Sequence, residues 1–151
     1  MKRSIFLKIF FGYVLISLLF LAIILPFSFR MIKNHYTETL TVQLKNLAIS
    51  LSPKATTFLE NEEYKEMDLL FKEVGSKSNT RITVILPSGI VVADSEEDPQ
   101  LMENHRDRPE IRQSKKGKVG TSIRYSRTLE EEMLYVAIPL YKKGELSDYV
   151  W

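Results

Sequence analysis

RITVILPSGIVVA, residues 81–93, is the stretch at which the periodicity of this chain changes. Arg81–Leu86 and Ile90–Ala93 are short runs rich in β-branched residues, and Pro87-Ser88-Gly89 stands between them. Such runs favour pleated backbone and the intervening triplet favours a tight turn, so a hairpin is expected here. Before residue 80 the apolar spacing is helical. After it, two-residue alternation dominates, and the fold class is therefore expected to be α/β.

Downstream, residues 94–117 are polar and irregular, with short helical pieces expected around Pro99–Glu103 and Pro109–Lys115. Val119–Arg127 predicts a third strand, with Ile123 and Tyr125 on one face. Glu132–Tyr141 predicts a fourth. There Leu134, Val136 and Ile138 alternate with Tyr135, Ala137 and Pro139, the pattern of a strand covered on both faces. Leu146–Trp151 begins a fifth. The order suggests an antiparallel sheet of about five strands with helices on one side.

Upstream, Asn61-Glu62-Glu63 reads as the acidic start of a helix, and Tyr64, Met67, Phe71 and Val74 share a face of it. Gly75 is the expected C-cap. Ser52-Pro53 resembles an N-cap and first-turn proline, so a break or kink is expected there. Residues 30–51 predict a helix. Leu40, Leu44, Leu47 and Leu51 follow a four-three-four spacing on it, a seam that suits either a homodimer or packing on the chain's own sheet.

Residues 9–29, IFFGYVLISLLFLAIILPFSF, contain no charged side chain. A helix of that length rises about 30 Å, the thickness of a bilayer's hydrocarbon core. Lys2, Arg3 and Lys8 precede it, while Arg30 and Lys33 follow, a bias that favours a cytoplasmic N-terminus for residues 1–8. A cleaved signal peptide is the competing reading, but the apolar run is long and bulky Pro26-Phe27-Ser28-Phe29 stands where small residues would mark a cleavage site. The expected organisation is thus a transmembrane anchor at 9–29, extracytoplasmic helices at 30–75 and a sheet at 76–151. The last strand is expected to be cut short at Trp151. Nothing between Phe27 and Ser50 is proline or glycine, so the anchor is expected to run on as helix from about Ile9 to Leu51.

All 19 acidic residues and all but four of the 21 basic ones lie after residue 30, so the positive balance belongs to the anchor's flanks. A slightly acidic outer part argues against nucleic acid as partner. The chain has no cysteine, which excludes disulfides and thiolate zinc sites.

Val92-Ala93-Asp94-Ser95-Glu96, Asp98-Pro99, Met102-Glu103-Asn104-His105 and Arg108-Pro109-Glu110-Ile111 follow one another in order. Arg124-Tyr125-Ser126, Thr128-Leu129 and Met133–Leu140 come after them. In order and spacing these stretches resemble the N-terminal sensing region of phosphate-regulon-type sensor histidine kinases. The resemblance implies a PAS-like, or Cache-type, domain set between two membrane helices. It also implies an ATP-dependent protein-histidine kinase in the parent, with a HAMP segment and a phospho-accepting histidine. None of those modules is readable in this chain. Its histidines, His35 and His105, are both expected outside the membrane, so no enzyme activity is expected of the chain itself.

Arg124, Ser126 and Tyr135 are expected on neighbouring strands. They could grip an anionic or polar ligand, or Arg124 could pair with a carboxylate and pin the 94–110 loop to the sheet. Asp94, Glu96, Glu97, Asp98 and Glu103 could hold a hard cation, but turn capping explains them as well and no metal or cofactor is expected. His105 is a structural residue unless it serves as a metal or other ligand-binding group or as a pH sensor; with Asp94 it joins Arg124, Ser126 and Tyr135 as a candidate for ligand binding or loop docking. Two functions stay open. One is the extracytoplasmic sensing segment of a two-component sensor histidine kinase, which passes a ligand- or partner-induced change through the anchor. It would reach its cytoplasmic response regulator only through the kinase region. The other is a non-catalytic, membrane-anchored interaction domain that regulates another membrane protein.

Overall fold

The structure, a computed structural model, describes residues 5–126, 131–142 and 145–150. Contacts divide the chain into two units, Met1–Thr39 and Leu40–Trp151. In the first unit, helix α1 begins at Ile5 with its apolar side chains exposed all round. That is the surface of a lipid-facing helix, and α1 is long and apolar enough to cross a membrane.

The helix α1 spans Ile5–Asn61, so no break occurs at Ser52-Pro53. Proline lacks the N–H that would bond the Ile49 carbonyl one turn back. Ser52 Oγ donates to that same carbonyl at 2.6 Å, and the bond lost to Pro53 is replaced locally. Asn61 is the last residue of α1 and Glu63 is the N-cap of the next helix, so the triplet spans the junction between the two. Glu62 adopts φ 59°, and α2 runs Tyr64–Ser78. Its C-cap is Asn79, left-handed at φ 48° with its N–H on the Gly75 carbonyl, so Gly75 is not the cap. Gly75 is buried in α2, and a Cβ there would lie 2.5 Å from Ser95 Cβ.

Strands β1 (Thr83–Ile85) and β2 (Val91–Asp94) form the expected hairpin, with Gly89 at φ 91° in the turn. A 3-10 turn at Pro99–Leu101 and helix α3 (Pro109–Ser114) follow, then β3 (Gly120–Ser126), β4 (Glu131–Lys142) and β5 (Glu145–Val150). Arg127 and Trp151, expected at the ends of strands, lie outside the described residues. Strand order is β2-β1-β5-β4-β3, and every pair is antiparallel. The sheet is two ladders that share β4. Residues Glu131–Ala137 of β4 pair with β3, and Ile138–Lys142 pair with β5 in the four-stranded ladder β2-β1-β5-β4.

Neighbouring residues point to opposite faces of a strand. Val84 and Ile138 accordingly join one apolar cluster, and Ile85 and Ala137 the other. The first cluster takes Ala48 and Ala55 from α1 and Met67 and Phe71 from α2. The second is closed by Ile111 of α3, with Met102 and Tyr135 beside it. Helices were expected on one side only. α3 covers the other because Gly120 lets its backbone sit directly on β3, where a Cβ would come within 1.9 Å of the Glu110 carbonyl oxygen.

Candidate functional site

The segment 94–117 is held at both ends. At its start Asp94 is fully buried, and its carboxylate accepts five hydrogen bonds from four donors. Thr83 Oγ1 donates at 2.6 Å, Arg81 Nε at 3.1 and 3.2 Å, and the N–H groups of Glu96 and Glu97 at 3.0 and 2.9 Å. The Asp94 N–H in turn donates to Asp68 Oδ1 of α2 at 3.0 Å. The oxygens of Asp94 are thus spent inside the fold, as a buried carboxylate requires. Among the described residues no group of three or more acidic or imidazole side chains is arranged to hold a metal.

At the other end α3 is fastened to β3. Arg124 Nη2 donates to Glu110 Oε1 at 3.3 Å, and Glu110 is fully buried. The Arg124 guanidinium also lies 3.7 Å from the centroid of the Tyr135 ring. Register explains the stacking. Arg124 faces Met133 and Ser122 faces Tyr135, so Arg124 and Tyr135 are diagonal neighbours on one face. The Gln113 side chain completes the attachment, donating to the Thr121 carbonyl at 2.9 Å and accepting from its N–H at 3.3 Å. Glu110 Oε2 and Ser114 Oγ, one turn apart on α3, are buried with no hydrogen-bond partner among the described residues. Desolvation without a partner is unfavourable, so α3 sits on the sheet at some cost.

His105 is buried beside this contact and donates its backbone N–H to the Gly89 carbonyl at 2.8 Å. Burial above all, then the charge of Arg108, pushes its imidazole down to about 4; Glu103 opposes this, and Arg124 adds the smallest push downward. Arg108 Nη2 reaches Glu103 Oε1 at 3.4 Å.

Arg124, Tyr135 and His105 therefore gather around α3, while Asp94 belongs to a separate network at the α2 end. Ser126 pairs with Glu131 in the β3–β4 ladder, and its side chain lies outside the described residues. Leu51 packs into the first apolar cluster, whereas Leu40, Leu44 and Leu47 are half-buried. Two features escaped the reading of the residues. Glu110 is the carboxylate that Arg124 finds, though nothing in its spacing marked it among its acidic neighbours. A cavity of about 490 Å3 opens between α2, β2 and the 3-10 turn, lined by Tyr64, Lys65, Asp68, Ile90–Val92, Asp98–Gln100 and Met102–Asn104. Residues from three elements build it, and no local pattern announces such a meeting.

The sheet thus carries α1 and α2 on one face and α3 with its docked loop on the other. Residues 35–151 match the family described as Single Cache-like, and the chain belongs to that family. Among solved structures it is similar to the sensor domain of the V. cholerae histidine kinase DctB. That likeness has a TM-score of 0.60 at 15% identity, and it covers 78% of this chain and 50% of that one. This chain thus spans half the length of that relative, and the likeness is one of fold. The ligand-binding domain of Mlp24, solved with asparagine, aligns at a TM-score of 0.40 and 14% identity over 77% of this chain and 57% of that one, too weakly to define a fold. A search of curated proteins found no match in sequence.

Proposed function

We propose that this chain is the extracytoplasmic sensing segment of a membrane-bound two-component sensor histidine kinase of the phosphate-regulon type. Its N-terminus is cytoplasmic, its anchor is residues 9–29, and it works as a homodimer. Phosphotransfer and the response regulator belong to the kinase region. One observation carries the reading: a Cache-like domain begins on the same helix, α1, that is apolar enough to enter a membrane. A sensor needs such a connection, because a ligand acts only by favouring one of two arrangements of the element that leaves the domain. The order of motifs from Val92 to Leu140 supports the phosphate-regulon type. Arg124 supplies the switchable contact. A ligand or partner that draws Arg124 away from Glu110 releases α3 from β3.

Single cysteines along residues 36–51 of the membrane-embedded protein test the dimer that this mechanism requires, on a background without native thiols. Cross-linking between chains is expected to peak at 40, 44 and 47 and to fall at 42 and 49. Position 51 should react less than the other leucines, since Leu51 is committed to the chain's own core. Uniform cross-linking, or none above random collision, would remove the dimer and with it the proposed route of signalling.

A further inference from the structure

We propose that the cavity between α2, the outer edge of β2 and the 3-10 turn binds a short cationic peptide in extended conformation. The proposal rests on the reading of this chain as a sensing domain and says where and what it senses. Its volume, about 490 Å3, falls among those of ligand pockets, about 300–1,000 Å3.

The backbone of β2 supplies the first reason for an extended peptide. β2 is an edge strand. Leu86 N–H donates to the Ile90 carbonyl at 2.8 Å, so Ile90 faces β1. Alternation then turns the N–H and C=O of Val91 outward, into the cavity that Val91 lines. The register shift opposite Val84 and Ile85 lets Asp94 face outward as well, and Asp68 Oδ1 caps its N–H. The edge is thus closed at Asp94 and open at Val91, a place for an added strand to make a pair of main-chain bonds.

Charge and apolar surface choose the side chains. Asp68, Asp98 and Glu103 line the cavity with one base, Lys65. Lys72 and the Asp94 N–H already hold Asp68, and Arg108 reaches Glu103 at 3.4 Å, which leaves Asp98 and the more loosely held Glu103 to meet a cationic side chain. Asp98 and Glu103 are exposed on its rim, while Ile90 and Met102 offer apolar surface between. A peptide with basic side chains flanking an apolar one matches that order. Occupancy would also reach α3. An ammonium group at Glu103 competes with Arg108, whose charge acts on His105 and is itself opposed by Arg124.

The test is a titration of the isotope-labelled full chain in lipid nanodiscs with three tripeptides: Lys-Leu-Lys, the same peptide N-methylated at the leucine amide, and Glu-Leu-Glu. Lys-Leu-Lys should give saturable amide shifts at Val91, Gln100 and Asn104. N-methylation, or the paired change Asp98→Asn and Glu103→Gln, should weaken binding at least about tenfold. The acidic tripeptide should not bind. No saturable shift, indifference to N-methylation, or equal binding of Glu-Leu-Glu would overturn the proposal. Binding that leaves the cross-linking pattern along α1 unchanged would uphold the cavity and overturn signalling through the helix. A leucine seam that cross-links in a chain that binds no peptide would overturn the cavity alone.

Discussion

Arg124→Ala should destabilise the Cache-like domain by roughly 3 kcal/mol, because it strands the fully buried Glu110 without its guanidinium. Arg124→Met combined with Glu110→Leu should cost less than Arg124→Ala alone, since no charge is then left unpaired. Denaturant midpoints of the full chain and its variants measure both, and a double variant worse than either single one would deny that the pair acts as a unit. His105 makes a separate prediction about acid. Its folded value of about 4 lies below the ordinary 6.5, so the unfolded chain binds the proton more readily between those pH values. The stability that His105 contributes is therefore complete above pH 6.5 and is lost as pH falls toward 4. The full loss amounts to roughly 3 kcal/mol. His105→Leu should flatten that part of the stability–pH curve, and an unchanged slope would assign the acid sensitivity to the carboxylates. At this scale the residue types were legible, and their partners were not. Arg124 and Tyr135 could be placed on adjacent strands from alternation alone, whereas Glu110 is one of several carboxylates in an irregular loop, and only the close approach of α3 at Gly120 selects it.

Among the elements, the hairpin at Thr83–Asp94 was readable because β-branched runs and a turn triplet agree locally. The run of helix through Pro53 was not. Proline argues for a boundary, and the compensation lies in the rotamer of one serine, invisible to spacing. The account predicts a coupled pair of effects there. Ser52→Ala should cost about 1 kcal/mol in the native chain, since the Ile49 carbonyl loses the donor that replaces the missing N–H of Pro53. In a Pro53→Ala background the restored N–H takes the Ile49 carbonyl, so Ser52→Ala should cost close to nothing. Pro53→Ala itself should stabilise, because proline is the least favourable residue inside a helix. Equal costs of Ser52→Ala in both backgrounds, read from denaturant midpoints, would remove this explanation. The short helix expected at Pro109–Lys115 is there, but its place on the second face of the sheet was hidden. Pro109–Ser114 is short, and its placement depends on Gly120 in a different element.

For the whole molecule, the helix apolar and long enough to cross a membrane and the α/β class were legible because each rests on long, redundant patterns: an uncharged apolar run and a switch of period near residue 80. The cavity was not, since Tyr64, Val91 and Met102 are brought together only by the finished fold. In the proposed arrangement a Cache-like domain stands outside the cell on an anchor whose N-terminus is inside. The chain contains no cysteine, so a single introduced thiol reports its own side of the membrane. Lys77→Cys occupies an exposed position on α2 and Ser4→Cys precedes the anchor. In intact cells, a membrane-impermeant maleimide should label the thiol at 77 and reach the thiol at 4 only after the membrane is permeabilised. Labelling of position 4 with protection of position 77 would place the domain in the cytoplasm and contradict the account.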